Sequence, residues 1–272
     1  MQTTTSADGT TIAYDLAGSG SPIVFVSGAF NDRHTLAPVA GELASTHTVV
    51  CYDRRGRGGS GDVGPYAVER EIEDLHAVLE VVGGTAAVFG FSSGANLGLL
   101  AAARGVPVTS LIMYEVPFVF DDADRRPADL PARLSSLVAA GKRAEAVTTF
   151  QLEGIGLPPE MVAGIRQAPF FPALEAIAHT VVYDAMVTGP PYDRPTPEMR
   201  AVDVPILVLT GTETWPVLRK AAETLPGLLS DARYETVPGG ENHTISPADT
   251  AVAVRDFLDR VPSRSAGRRR EP

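Results

Sequence analysis

Cysteine is almost missing from this chain. Cys51 is the single one in 272 residues, so no intrachain disulfide can form and no cysteine cluster is at hand to hold a metal. Positive charge is also scarce: 23 Lys and Arg stand against 33 Asp and Glu, a net charge of −10. A surface of that sign repels phosphate backbones and anionic lipids, which argues against nucleic acid and membranes as partners. No apolar run approaches the roughly 18 residues expected of a bilayer span. The opening Met1-Gln2-Thr3-Thr4-Thr5 has no basic residue ahead of an apolar stretch, as a secretory signal would. A cytoplasmic protein is therefore expected. What remains is ordinary for a folded chain, with 44% hydrophobic and 21% charged residues, and the length suits one α/β domain carrying an insertion.

Short apolar runs alternate with helical patterns. Residues 22–27, 47–53, 86–91, 110–116 and 205–210 are continuous, partly β-branched and bounded by Gly or polar turns. Such runs suit strands covered on both faces, as in a parallel sheet. Between them, residues 68–82 set Val68, Ile72, Leu75, Leu79 and Val82 at helical spacing, with Glu69, Arg70, Glu73 and Asp74 on the polar side. Residues 93–103 are nearly all small or apolar, as in a helix buried beside a sheet. Ser246-Pro247-Ala248-Asp249 reads as a helix start. Thr3 to Ser6 and Thr11 to Ala17 flank Ala7-Asp8-Gly9 and read as an antiparallel hairpin. The expected fold is α/β: a mostly parallel sheet with an antiparallel N-terminal hairpin.

Residues 117–203 break the rhythm. No strand is evident there, and helical pieces at about 130–153, 159–167 and 172–187 are separated by Pro and Gly. The expected layout is a core of residues 1–116 and 204–261, a helical cap at 117–203, and a disordered basic tail at 262–272 containing Arg264, Arg268, Arg269 and Arg270.

One motif carries chemistry. Gly90-Phe91-Ser92-Ser93-Gly94 fits G-x-S-x-G, with a buried strand entering and a buried helix leaving. In that context a sharp turn presents the serine hydroxyl, so Ser92 is the candidate nucleophile, and the Ser93 N–H is placed for a developing oxyanion. A serine needs a base. Of the five histidines, His243 follows the run Arg233-Tyr234-Glu235-Thr236-Val237 and precedes the last helix, at the strand edge where α/β sheets hold their ligands. His47 starts a strand at the opposite edge, His76 sits mid-helix and is expected to pack partly against the core, and His34 is expected near a pocket mouth. A carboxylate must orient the base, in the chain order serine, acid, histidine. Glu115 and Glu213, each at the end of a strand, compete for that place, with Asp184 in the insertion as a third candidate. Arg54, Arg55 and Arg57 read as a solvated turn tied to Asp53 or Asp62.

These features in this order resemble the α/β-hydrolase superfamily over residues 5–260: the Asp8-Gly9 hairpin, Ser27-Gly28-Ala29-Phe30, the loop from Tyr52 to Ser60, the Ser92 turn and His243. The segments Tyr114-Glu115 and Ala178-His179-Thr180 with Tyr183-Asp184 make it similar in particular to small capped actinobacterial serine hydrolases. The resemblance implies an α/β-hydrolase fold with a helical cap insertion. The position where the family usually carries its acid is Thr214 here. Some members take the acid from the preceding strand, which implies Glu115, with Glu213 as the alternative one residue from the usual place. The family supplies its second oxyanion donor from a His-Gly-x turn, which implies the Ala29 backbone N–H although the histidine is absent.

The expected pocket above Ser92 is apolar, with Phe30, Phe118, Phe171, Tyr183 and Trp215 as its candidate lining. Few cations accompany these aromatics, so a medium-sized, mostly uncharged acyl compound is the expected small-molecule substrate. The expected reaction is hydrolysis of an ester, thioester or lactone, with no metal or organic cofactor, by a monomer or homodimer. The same fold also serves C–C bond cleavage, lyase, cyclase and cofactor-free oxidative chemistry, and ligand-binding receptors without turnover, and these stand as alternatives.

Overall fold

The apolar runs form one eight-stranded sheet in the computed structural model, which describes residues 1–261. The strands are β1 (Gln2–Thr5), β2 (Thr11–Gly18), β3 (Ser21–Val26), β4 (His47–Tyr52), β5 (Ala86–Phe91), β6 (Val108–Tyr114), β7 (Ile206–Gly211) and β8 (Ala232–Val237). Their spatial order is β1-β2-β4-β3-β5-β6-β7-β8. β1 pairs with β2, and β2 with β4, antiparallel; every other neighbour is parallel. The expected basic tail lies outside the described residues.

The continuous apolar character of the strands has a direct cause. Along β3, Val24 and Val26 enter one core while Ile23 and Phe25 enter the other. Helices α1 (Ala37–Leu43) and α11 (Pro247–Leu258) cover the face that holds Phe25, Phe89 and Leu207. Helices α2 (Val68–Val81), α3 (Ser93–Ala103) and α10 (Pro216–Thr224) cover the other. A polar residue on any central strand would be desolvated from either side. At the start of α11, Ser246 is extended and its hydroxyl bonds Asp249 at 2.5 Å, while Pro247 opens the helix. One side chain of α2 departs from expectation: Asp74 is buried rather than wet, and Glu71 is buried beside it, because arginines from the loop after β4 meet both. His76 also departs, lying exposed beside Glu80.

Between β6 and β7 the described chain is helical: α4 (Leu130–Ala139), α5 (Arg143–Thr149), a π-helical turn at Phe150–Ile155, α6 (Pro159–Arg166), α7 (Phe171–Ala176), α8 (Thr180–Thr188) and α9 (Pro197–Arg200). The piece read as helical over 130–153 is interrupted at Gly141, whose φ of 74° no helix residue adopts. The 172–187 piece divides between Ile177 and His179. Leu130, Leu134, Ala146, Phe150, Val181 and Ala185 give the insertion a small core of its own. No helix among the described residues is long and apolar enough to cross a membrane.

Candidate active site

Ser92 joins β5 to α3 in a backbone conformation (φ 54°, ψ −124°) that L-residues rarely adopt. Helix α3 leaves the sheet so closely that a Cβ on Gly94 would stand 2.2 Å from the Val26 carbonyl oxygen, which is why glycine is required there. Because α3 begins at Ser93, the N–H of Ser93 lies in a first turn, where intrahelical acceptors are lacking and the helix dipole is positive. The loop Ser27-Gly28-Ala29 lies against the same turn: a Cβ on Gly28 would come within 2.9 Å of the Ser92 Cβ.

Glu115 directly follows β6 and is fully buried. Its Oε1 accepts the Gly211 N–H at 3.2 Å, and its Oε2 lies 2.5 Å from His243 Nδ1. The imidazole is stacked between Phe91, at 4.6 Å between centroids, and Trp215, at 5.3 Å. The Tyr114 hydroxyl donates to the Thr244 carbonyl at 3.2 Å and so holds the loop that carries His243. Among the described residues five non-glycine positions have positive φ: Phe30, Ser92, Glu115, Asn242 and His243. Sparsely populated conformations of this kind cost about 1–3 kcal/mol each and concentrate at functional sites.

A cavity of about 480 Å³ opens over this arrangement, within the range of roughly 300–1,000 Å³ typical of small-molecule sites. Ser92, Ser93, Ala29 and His243 line its floor, and Phe91, Phe150, Leu152, Ile155, Trp215 and Leu218 give it apolar walls. The insertion contributes lining through two stretches, residues 117–127 and its π-helical turn, the latter a geometry that often marks functional sites.

Several nominated residues lie elsewhere. Phe118 is buried in the main core, and Phe171 in a second small cluster of the insertion with Val147 and Ala178. Phe30 packs edge-on against Phe150, at 5.8 Å, and joins the insertion to the sheet instead of lining the cavity. Tyr183 faces a separate surface groove, stacked on Tyr66 at 3.7 Å and donating its hydroxyl to Asp62. Of the five expected lining residues, Trp215 borders the cavity. Glu213 is exposed, and its backbone N–H donates to the Gly239 carbonyl at 2.9 Å. Thr214 is buried with its hydroxyl unpartnered. His34 is exposed and outside the cavity lining.

The arginine loop corrects its expected solvation. Arg54, Arg55 and Arg57 are all buried. Arg54 forms a two-pronged pair with Glu71, at 2.6 and 2.7 Å, and Arg55 does the same with Asp74, at 2.7 Å for each bond. Arg57 donates to Asp184 at 2.7 Å. Burial pushes the Asp184 carboxyl up, but the charges of Arg57 and Arg54 outweigh it and hold the group below the usual carboxylate range. Asp184 is thus committed to arginines and does not approach His243 as a triad acid would.

Sequence reasoning also missed a charged stretch of the cavity wall, Asp124, Arg125, Arg126 and Glu153. Arg126 donates to the carbonyls of Gly154 at 2.6 Å, and of Thr188 and Pro117 at 3.0 Å each, pinning three segments around the cavity. Burial pulls its guanidinium down to about 10, and Asp193 opposes that. The run Arg125-Arg126-Pro127 was the available signal. Among the described residues no group of three or more His, Cys, Asp or Glu is placed to hold a metal.

The family model described as the alpha/beta hydrolase family matches residues 23–257. The crystal structure of an alpha/beta hydrolase from Sphaerobacter thermophilus is similar at 46% identity and a TM-score of 0.86, covering 94% of this chain and 100% of that one. An esterase from Thermogutta terrifontis shares the fold at 22% identity and a TM-score of 0.68, covering 96% of this chain and 99% of that one. The uncharacterized hydrolase YraK of Bacillus subtilis is 40% identical over 100 residues, which is 35% of this chain and 37% of that protein.

Proposed function

The chain belongs to the alpha/beta hydrolase family, and we propose that it is a serine hydrolase cleaving an ester, thioester or lactone of a medium-sized, largely apolar small molecule. The observation that carries this reading is the 2.5 Å contact between Glu115 and the Nδ1 of a histidine that shares one cavity with Ser92. With Nδ1–H donated to the carboxylate, Nε2 is left as the acceptor, the tautomer a base requires.

In the proposed reaction Ser92 Oγ attacks the acyl carbon while His243 takes the hydroxyl proton. The carbonyl oxygen becomes an oxyanion received by the Ser93 and Ala29 N–H groups, each such donor being worth about 3 kcal/mol in the transition state. Collapse breaks the bond to the leaving alcohol, thiol or enol, which receives the proton from His243. Water then attacks the acyl-enzyme, its proton passing to His243 and back to Ser92 as the acid departs. The buried Glu115 stabilises the imidazolium in both halves of the cycle. Phe91, Phe150, Leu152 and Ile155 favour an apolar acyl chain, and the supporting fact is that they border the cavity that Ser92 lines.

The test is labelling with a fluorophosphonate together with turnover of short p-nitrophenyl esters. Wild-type protein is expected to lose activity with one equivalent of label on Ser92, and Ser92→Ala to show neither label nor turnover while keeping its melting temperature. Labelling at another residue, or undiminished turnover by Ser92→Ala, refutes the reading.

A further inference from the structure

Asp184 lies on α8, in the insertion, yet its carboxylate is engaged beneath the Ser92 turn. The carboxylate and the two guanidinium groups that it meets are buried. Oδ1 accepts the Ser93 hydroxyl at 2.8 Å and an Arg54 N–H at 2.9 Å. Oδ2 accepts from Arg57 Nη2 at 2.7 Å, and Arg57 Nη1 donates to the Gly28 carbonyl at 2.6 Å. The Gly28 carbonyl and the Ala29 N–H belong to one trans peptide unit, and a planar unit cannot have its oxygen fixed without its N–H being aimed. The pull of a guanidinium on that oxygen also polarises the peptide and strengthens its N–H as a donor. On the other side, the residue whose hydroxyl Asp184 holds is the one whose backbone N–H is the second oxyanion donor.

We propose that Asp184 is a positioning residue of the oxyanion hole: through Arg57 and through the Ser93 hydroxyl it fixes the separation and direction of the Ala29 and Ser93 N–H groups. The proposal rests on the acyl-transfer reading above. A buried ion cluster is by itself weak evidence of a role, because apolar residues of equal volume often hold a core as well; what sets this one apart is its contact with Ser93 and, through Arg57, with Gly28. From the same loop, Arg55 joins the buried Asp74 and the partly exposed Asp8 in a second ion cluster, and its hydrogen bonds reach neither Ser93 nor residues 27–29. That second cluster is the internal control.

Wild type, Asp184→Asn, Ser93→Ala and Asp74→Asn are to be compared as full-length proteins, with p-nitrophenyl butyrate as substrate and an alkylboronic acid as a mimic of the anionic tetrahedral state. In Asp184→Asn, kcat is expected to fall roughly 30–300-fold with KM within about threefold, since the loss falls on the transition state. Boronate affinity is expected to fall in step with kcat/KM. Ser93→Ala keeps every charge of the cluster and is expected to lose roughly 3–30-fold in kcat. Asp74→Asn is expected to lower the melting temperature comparably while kcat stays within about twofold. The proposal is overturned if folded Asp184→Asn keeps kcat within threefold of wild type, if boronate affinity holds while kcat falls, or if Asp74→Asn loses as much. Should Asp184→Asn not fold, Ser93→Ala decides: unchanged kcat and boronate affinity overturn the proposal. Wild type that neither turns over esters nor takes up a fluorophosphonate refutes the acyl-transfer reading instead, a result separate from active wild type with an indifferent Asp184→Asn.

Discussion

Replacing Glu115 with glutamine changes one atom and one charge at a position whose neighbours dictate how the new side chain must sit. The carboxylate is buried, with Oε1 taking the Gly211 N–H at 3.2 Å and Oε2 facing His243 Nδ1 at 2.5 Å. An amide at this site has one oxygen and one NH2. The Gly211 N–H claims the oxygen, because turning the NH2 toward it would set two donors against each other. The NH2 must then point at Nδ1, which can accept only if the ring proton sits on Nε2. That nitrogen is the one required to receive the Ser92 proton, so the base is lost, and the charge that stabilises the imidazolium is lost with it. The expected fall in kcat is about 10³–10⁴-fold, or about 4–5.5 kcal/mol at 1.36 kcal/mol per tenfold. Glu213→Gln is expected to stay within about twofold of wild type, since an exposed side chain outside the cavity lining contributes little. Ester hydrolysis at saturating substrate measures kcat, with circular dichroism to verify folding. A folded Glu115→Gln within tenfold of wild type, or an equal loss in Glu213→Gln, refutes the reasoning.

Packing and charge lead to two more expected outcomes. Gly94→Ala sets a methyl group 2.2 Å from the Val26 carbonyl oxygen; because backbone must move, a loss of about 1–3 kcal/mol is expected, and urea titration at unchanged midpoint would contradict it. Stability is expected to fall with acid in two stages. Burial holds the neutral form of His47 and outweighs the pull of Asp259, lowering its pKa, so the folded state binds this proton less readily and stability declines as pH drops below about 6.5. Below about 4 the decline steepens: Asp8, Glu71 and Asp184 are each pushed up by burial but pulled further down by arginine partners, Asp8 to about 2 with help from Thr10. Their stabilisation is complete above the unfolded carboxylate range and disappears as pH falls through the folded values. A melting temperature unchanged down to pH 3 would count against these pairings.

Strand positions are legible in the sequence because a sheet with two covered faces demands continuous apolar runs, and five such runs fall within a residue or two of β3, β4, β5, β6 and β7. Ser92, His243 and the competing acids Glu115 and Glu213 can be placed near one sheet edge for a related reason: each follows a strand or closes the loop beyond one; which carboxylate faces His243 depends on tertiary folding and not on local sequence. Phe118 and Phe171 are not legible, because helical or loop segments rich in aromatics do not reveal which ring faces a cavity and which a neighbouring helix. The arginine loop is misread from sequence for want of its partners. Glu71, Asp74 and Asp184 come from α2 and α8, and only tertiary folding brings those carboxylates to Arg54, Arg55 and Arg57.

The clustering of left-handed backbone at Phe30, Ser92, Glu115, Asn242 and His243 bears on how this protein would respond to selection. Glycine relieves such a conformation, and relief of this size, about 1 kcal/mol a position, rivals what most surface substitutions can offer. A campaign scored on heat resistance alone would thus be drawn toward the residues proposed to do the chemistry, and its hardiest survivors would be its least useful catalysts.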